Sequence, residues 1–183
     1  TGFYLTGNVA LLNRVLVVGN DSGDKIGGDG YIPAAGGGVI KEGSSEVRAS
    51  VIVSNKIRII SWKTTGSSPS ASGVLLYSGK MVNCTVVGNT ANTHSAGIRI
   101  ENRTAGNSTA VGVVINTIVA GNMKSGAEVN YADNYVVDKT NSSNCFFGLA
   151  DEAALFADSL SGDPKFVAAA NGDYRLSGES AAK

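Results

Sequence analysis

Residues 83–89 read NCTVVGN, a stretch that predicts one short β-strand and the turn that ends it. Thr85, Val86 and Val87 favour extended backbone, and the Gly88-Asn89 pair that follows is typical of tight turns. One strand of this kind says little about a fold. The same ending recurs along the chain, however, and its spacing decides the architecture.

Copies of this ending occur at near-constant intervals. They are 15–20 VLVVGN, 51–55 VIVSN, 85–89 TVVGN and 118–122 IVAGN, with a weaker fifth copy at 144–148 NCFFG. The asparagines of the four clear copies, Asn20, Asn55, Asn89 and Asn122, lie 35, 34 and 33 residues apart. A period of this length indicates structural units that stack on one another.

A glycine opens a second short strand in each repeat. The clearest instances are 38–40 GVI, 73–75 GVL and 97–100 GIRI, and both 2–5 GFYL and 126–129 GAEV fit the same pattern. The connection between each repeat asparagine and the next of these glycines varies from 17 residues to 3. Loops of different length therefore leave one side of a constant stack.

Two other repeat architectures compete with this interpretation. Helical repeats need an apolar period of 3.6 residues over ten or more positions, which the chain lacks, and propeller blades need four strands per repeat. The sequence therefore predicts an all-β parallel β-helix of about five coils over residues 1–148. Each strand would pair with its counterpart about 4.8 Å away in the next coil.

Residues 149–183 are predicted to form a C-terminal capping segment. Asp151 and the helix-forming residues after it predict one short helix near 151–157, and Phe166, Tyr174 and Leu176 are the apolar residues expected to cover the last coil. No equivalent cap precedes the first coil, because residues 1–5, TGFYL, already follow the repeat pattern. We therefore expect further coils upstream of this chain.

Charge and hydropathy exclude two classes of partner. Lys plus Arg and Asp plus Glu each number 15, which gives a formal net charge of zero. A neutral chain lacks the basic surface that nucleic acids and anionic membranes attract, so neither is predicted as a partner. No apolar run approaches the about 20 residues of a membrane span, so no transmembrane segment is predicted.

The strand period assigns residues to the inside and outside of each coil. Residues three and five positions before the repeat asparagines are predicted to point inward: Val17, Ile52, Val86 and Val119, and Val15, Ser50, Cys84 and Thr117. Asn20, Asn55, Asn89 and Asn122 would then form a structural ladder at a turn. Cys84 and Cys145 lie two coils apart, too far for a disulfide, so two buried free thiols are expected.

The residues between those inward positions are unusually apolar for a solvated face. We call them the lateral strip: Leu16, Val18, Val51, Val53, Thr85, Val87, Ile118 and Ala120. Either a loop or the C-terminal segment covers this strip, or Val51, Val53, Val87 and Ile118 form a contact surface for a partner.

Two groups of residues are candidates for chemistry. Tyr77, Arg99, Glu101 and Glu128 fall on outward positions of the glycine-led strands. An aromatic ring beside charged groups is common in glycan sites, with Tyr77, Arg99 and Glu128 as binding candidates. Arg99, Glu101 and Glu128 are the catalytic candidates, since paired carboxylates can act as acid and base. The alternative is an ordinary solvated face in which Arg99 pairs with a glutamate.

The second group is the acidic stretch at residues 20–30. Asp21, Asp24 and Asp29 could supply oxygen ligands to Ca²⁺, although the stretch lacks the glutamate that completes an EF-hand loop. The alternative is a polar surface turn. The sequence predicts no other cofactor.

The segments 37–40 GGVI, 72–76 SGVLL and 96–100 AGIRI, each followed by a VVGN-like strand, resemble the right-handed β-helix repeats of bacterial surface and secreted proteins. Residues 162–167 GDPKFV and 171–177 NGDYRLS resemble the closing segment of pectin-lyase-fold proteins of Bacteroidetes type. This resemblance implies a right-handed coil and an extracellular or cell-surface location. It does not imply one activity, because the family includes lyases, hydrolases, adhesins and passive stalks.

The resemblance implies three functions. The first is an extracellular or cell-surface module that is structural or associated with polysaccharide, because the calcium-binding aspartate cluster and the Asn-Thr-Asp motif of the family's enzymes are absent from the sequence. The second is a polysaccharide lyase or glycoside hydrolase with part of its site outside this chain. The third is an adhesin or autotransporter-type stalk.

Overall fold

The protein is described by a computed structural model, which covers residues 2–5, 10–27, 35–41, 45–61, 70–92, 95–100, 104–105, 108–109, 112–133 and 142–183. Short strands dominate these residues, as the sequence predicts for an all-β chain. Most of the strands belong to four sheets, which we number I to IV in the order in which the chain visits them.

Sheets I and II are parallel throughout. Sheet I contains β1 Phe3–Leu5, β6 Val39–Lys41, β11 Val74–Leu76, β15 Ile98–Ile100 and β22 Tyr131–Asp133, in that spatial order. Sheet II contains β2 Leu11–Asn13, β7 Glu46–Arg48, β12 Gly79–Val82 and β18 Gly112–Ile115. Each strand therefore pairs with the strand about one sequence period away.

Sheet III is built from the recurring strand that ends in asparagine. Its members are β3 Leu16–Val18, β8 Val51–Val53, β13 Thr85–Val87, β19 Ile118–Ala120, β23 Phe146–Phe147 and β24 Leu160–Ser161, all parallel. Val17 pairs with Ile52, and Val86 pairs with Ile52 and Val119, which is the register that the 33–35-residue period predicts.

Sheet IV follows the asparagine in each repeat. Its members are β4 Asp21–Gly27, β9 Lys56–Ser61, β14 Thr90–Ala91, β20 Met123–Lys124 and β21 Ala127–Glu128. All its pairs are parallel except β20 with β21, which form an antiparallel hairpin. One passage through the four sheets makes one unit: unit 1 is β1–β4, unit 2 is β6–β9, unit 3 is β11–β14, and unit 4 contains β15 and β18–β20.

Three small elements accompany the four sheets. β5 Ala35–Gly36 pairs with β10 Ser70–Ala71, β16 Thr104–Ala105 pairs with β17 Ser108–Thr109, and β25 Phe166–Ala168 pairs with β26 Asp173–Leu176. The last pair, the C-terminal hairpin, turns through a 3-10 helix at Ala169–Asn171. The helix α1 spans Ala150–Ala153, shorter than the predicted 151–157, and Asp151 lies in its first turn instead of capping it.

Two columns of left-handed residues turn the chain at matching places in successive units. Arg14, Ala49, Asn83, Asn116 and Asn144 have φ between 46° and 56° and separate sheet II from sheet III. Gly19, Ser54, Gly88 and Gly121 have φ between 55° and 66° and separate sheet III from sheet IV. Asparagine and glycine tolerate this backbone better than other residues, which explains why NCTVVGN begins and ends as it does.

The core lies between the sheets and continues from unit to unit. Val39, Val47, Val74, Met81 and Val86 are fully buried, and Ile52, Val119 and Val17 from the predicted inward column are at most 2% exposed. Ser50, Cys84 and Thr117 are buried in the second inward column. The inward assignment made from the sequence is therefore confirmed for these residues.

Two predictions about the ends of the repeats are wrong. Residues 126–129 do not open a glycine-led strand, since they belong to the β20–β21 hairpin, and Tyr131 pairs with Ile98 in sheet I instead. The interior at the last unit is covered by α1 and by the rings of Tyr131, Phe147 and Phe156, not by the C-terminal hairpin. The hairpin lies against the side of sheet III, where Phe166 and Leu176 line grooves with strand residues.

Candidate functional site

The repeat asparagines form one continuous chain of side-chain hydrogen bonds. Asn20 Nδ2 donates to Asn55 Oδ1 at 2.8 Å, Asn55 Nδ2 to Asn89 Oδ1 at 3.0 Å, and Asn89 Nδ2 to Asn122 Oδ1 at 2.8 Å. Each Oδ1 also accepts the backbone N–H of the preceding asparagine. The ladder therefore has a direction, because every donor points towards the C-terminal end of the stack.

The ladder does not stop at Asn122. Asn122 Nδ2 donates to Asn130 Oδ1 at 3.0 Å, and Asn130 Nδ2 donates to Glu128 Oε1 at 2.8 Å. We call the five residues Asn20, Asn55, Asn89, Asn122 and Asn130 the asparagine ladder. A carboxylate that accepts without donating is a suitable terminus for a chain of amide donors.

Glu128 ends the ladder and holds the neighbouring turn. Its Oε1 accepts the backbone N–H of Gly121 at 2.8 Å as well as the amide of Asn130. A side chain at Gly148 would collide with this carboxylate, so glycine at that position leaves room for it. The candidate catalytic and glycan-binding residue Glu128 is therefore placed first of all as a structural acceptor.

A second carboxylate, Glu152 of α1, lies at the same end of the stack. Its Oε1 accepts the backbone N–H groups of Asn130 at 2.7 Å and Tyr131 at 3.1 Å, which are free at the edge of sheet I. Its Oε2 is buried and meets no hydrogen-bond donor in the described parts of the chain. Burial raises the pKa of the Glu152 carboxyl, and the neighbouring Asp151 charge acts in the same direction.

The expected cluster of Tyr77, Arg99, Glu101 and Glu128 does not form an exposed face. Tyr77 is 3% exposed and Arg99 is 7% exposed, so the prediction that these positions face solvent is wrong. Arg99 pairs with Leu75 on one side and Ala132 on the other, whereas Glu128 belongs to the hairpin of sheet IV. Glu101 lies outside the described residues.

The acidic stretch at residues 20–30 is mostly a strand and not a surface turn. Asp21 begins β4, and its carboxylate lies 3.4 Å from the Arg58 guanidinium of β9. Asp24 lies on the same strand, and Asp29 lies outside the described residues. Within the part of the chain that the structure describes, no group of three metal-ligating side chains is present.

Both cysteines are free thiols in the core, as the spacing predicts. Cys84 and Cys145 stand in one column with Thr117 between them, and each is 2% exposed. Burial raises the pKa of each thiol to about 11. Each Sγ donates to backbone carbonyls, for example Cys84 to Val82 O at 3.3 Å, so the thiols fill space and satisfy the corner backbone.

The lateral strip is covered at one end and open at the other. Val53 and Ala120 are buried, whereas Val51, Val87 and Ile118 are half-buried. Leu16 and Val18 in unit 1 are 59% and 54% exposed. The C-terminal hairpin lies against units 3 and 4, which is the covering that the sequence left as one of two alternatives.

A cleft separates this hairpin from sheet III. We call it the acidic cleft; it encloses about 370 Å³ and is lined by Val87, Ala120, Gly121, Glu128, Gly148, Gly162, Asp163, Pro164 and Phe166. Its floor is apolar and its two charged lining residues, Glu128 and Asp163, are both acidic. The Phe166 ring is held edge-on by Tyr174, with 5.4 Å between ring centroids.

The acidic cleft and the acidic end of the ladder were not found from the sequence. Asn130 follows Asn122 by only 8 residues and so breaks the period that identified the other ladder residues. Glu152 looks like an ordinary residue of a short helix. Asp163 and Phe166 come from a segment that sequence reasoning assigned to the end of the stack.

Comparison with known proteins gives no relative: no family model, curated protein or solved structure matches the chain. No helix in the described parts of the chain has the length and apolar character of a membrane span.

Proposed function

We propose that this chain is a right-handed parallel β-helix module of a bacterial extracellular or cell-surface protein, with a structural or polysaccharide-associated role. The observation that carries the proposal is the asparagine ladder, which joins consecutive units from Asn20 to Asn130. Parallel pairing in sheets I to III and the two columns of left-handed corner residues support a chain wound repeatedly around one core.

The acidic cleft is the surface that best fits an association with polysaccharide. Its dimensions are those of a small-ligand site, and its apolar floor and Phe166 ring could pack against the C–H face of a sugar. Glu128 and Asp163 could accept hydrogen bonds from sugar hydroxyl groups. Because both side chains are acidic, the cleft favours a neutral or amino sugar over an acidic polymer such as a uronan.

A glycan array with the full chain tests this proposal, followed by titration of any neutral glycan that binds. Phe166→Ala should weaken binding at least tenfold, because it removes the aromatic wall. Val167→Ala is the matched control, since Val167 is the next residue of β25 and is 52% exposed. Circular dichroism should show that both variants keep the strand content of the parent chain.

Two results would contradict the glycan part of the proposal. One is equal affinity of the Phe166→Ala and Val167→Ala variants for the bound glycan, which would place the contact elsewhere. The other is the absence of any glycan on the array that binds the folded chain. In that second case the structural role would be the part of the proposal that survives.

A further inference from the structure

The edge of the stack formed by unit 1 exposes residues that are buried in every later unit. β1, β2, β3 and β4 are edge strands of sheets I to IV. Phe3 belongs to the inward column of sheet I, where Val39, Val74 and Ile98 are at most 1% exposed, but Phe3 itself is 39% exposed. The core is therefore open at this edge.

The opposite end of the stack is occupied by the protein's own residues. The rings of Phe147 and Phe156 stack with centroids 4.9 Å apart, and Tyr131 meets Phe156 edge-on at the same distance. Glu152 takes up the backbone N–H groups of Asn130 and Tyr131 there. The two ends therefore differ, and unit 1 is the end that leaves strand edges and apolar side chains accessible.

The direction of the asparagine ladder says what can bind at that edge. In each later unit, an Oδ1 accepts one backbone N–H and one Nδ2 from the preceding asparagine. Asn20 begins the ladder, and no donor to its Oδ1 is seen among the described residues. Its neighbour Gly2 is equivalent to Gly38, which packs against the Nδ2 of Asn55. The edge thus offers an amide acceptor beside a glycine.

A second copy of this chain does not match that edge. Two unit-1 edges meeting face to face would bring one Asn20 Oδ1 against the other, and both atoms are acceptors. The far end of another copy presents the Glu128 and Glu152 carboxylates, which are acceptors too. A partner must instead bring amide donors in parallel orientation.

We propose that the unit-1 edge is a strand-addition surface for one more unit of the same repeat, carried by a partner polypeptide. The added unit would run parallel to β1–β3, place an asparagine amide on Asn20 Oδ1, and cover Phe3 with an apolar residue. Its outer side chains would also cover Leu16 and Val18, as Val51 and Val53 cover their neighbours within the stack. This proposal rests on the stacked architecture proposed above, and it is independent of the glycan site.

A fusion supplies the partner unit at high effective concentration. Residues 38–72 are copied and placed directly before Gly2, so that residue 72 of the copy meets Gly2 as it naturally meets Gly73. We expect hydrogen exchange at the amides of β1–β3 to slow at least tenfold in the fusion. The matched control is the same fusion with Asn55→Asp in the copy, which replaces the amide donor with a carboxylate and should lose most of the protection.

Three results would overturn the proposal. The first is unchanged exchange at β1–β3 in the fusion, and the second is equal protection by the parent and Asn55→Asp copies. The third is a dimer of the unfused chain, seen by light scattering, that protects the same amides and is abolished by Leu16→Lys, because the occupant would then be a second copy. Exchange in units 2–4 shows separately whether the stack itself is folded, and glycan binding does not affect any of these readouts.

Discussion

Asn89 and Gly73 recur in the sequence for one shared reason. The Asn89 Nδ2 group lies 3.2 Å from the place where a Cβ on Gly73 would stand, and the same contact joins Gly38 to Asn55 and Gly97 to Asn122. The amide of each ladder residue therefore occupies the space that a side chain would need. The two sequence signatures are the two sides of one contact.

Replacing Asn89 by alanine should destabilise the middle of the ladder. The change leaves the Asn55 amide and the Ile52 carbonyl without their partners in a buried environment. We expect the free energy of unfolding to fall by about 2–4 kcal/mol, measured by chemical denaturation. Asn13→Ala, at an exposed position of β2, is the control and should change it by less than about 0.5 kcal/mol. Equal effects of the two variants would contradict the structural role of the ladder.

Gly73→Ala should be destabilising for a steric reason. A Cβ at this position would collide with the Gly97 carbonyl and stand 2.8 Å from Val86 Cγ1. Overpacking of this kind lowers the free energy of unfolding by about 2–3 kcal/mol. Gly178→Ala is the control, because nothing lies within 4 Å of a Cβ there. If both variants melt at the temperature of the parent chain, the close approach of successive units is wrong.

Glu152 should make stability depend on pH in an unusual direction. Burial raises the pKa of its carboxyl in the folded state, so folding favours the protonated form. Its contribution is fully present below the unfolded pKa of about 4.3 and is lost as the pH rises through the higher folded value. The groups that face it are Asn130, Tyr131, Asp151 and, through Asn130, the Glu128 carboxylate.

Comparison with Glu152→Gln isolates this effect. Chemical denaturation between pH 4 and pH 8 should show the parent chain losing stability relative to Glu152→Gln as the pH rises, because glutamine cannot ionise. Glu179→Gln is the matched control, since the Glu179 side chain is 84% exposed, and its difference from the parent should stay nearly constant. A constant difference for both variants would mean that Glu152 is not buried as a carboxyl.

At the scale of elements, the sequence predicts what the period repeats and misses what occurs once. The strands of sheet III, their register and the inward column follow from the 33–35-residue spacing of the asparagines. The β20–β21 hairpin occurs once, and Gly126 there serves a turn with φ of 89° instead of opening a strand. Glycine has more than one use in backbone geometry, so the residue type alone did not distinguish them.

The aromatic group beside α1 should carry much of the stability of the last unit. Phe156 is 5% exposed and packs on both Phe147 and Tyr131. Phe156→Ala should lower the free energy of unfolding by about 3–5 kcal/mol and speed hydrogen exchange in β22 and β23. Leu155→Ala, at the neighbouring residue that is 44% exposed, should have little effect on either measurement. Faster exchange confined to the C-terminal hairpin would contradict this assignment.

At the scale of the whole molecule, the two ends of the stack could not be predicted equally well. The open edge at unit 1 follows from the repeat pattern, because residues 2–5 already match later strands. The closed end depends on Asn130, Glu128 and Glu152, which come together through a hairpin and a helix that interrupt the period. Long-range packing of residues that occur once leaves no periodic signal for sequence analysis to detect.

Local stability should therefore rise from unit 1 into the middle of the stack. Each inner unit has neighbours on both sides, whereas unit 1 has a neighbour only on the side of unit 2. Native-state hydrogen exchange should be at least tenfold slower in β13 than in β3, which occupy equivalent positions in units 3 and 1. The comparison is internally matched, because both strands lie between the same two left-handed corners. Equal exchange in β3 and β13 would mean that the units open together as one cooperative block, and the unit-1 edge would then be no weaker than the core.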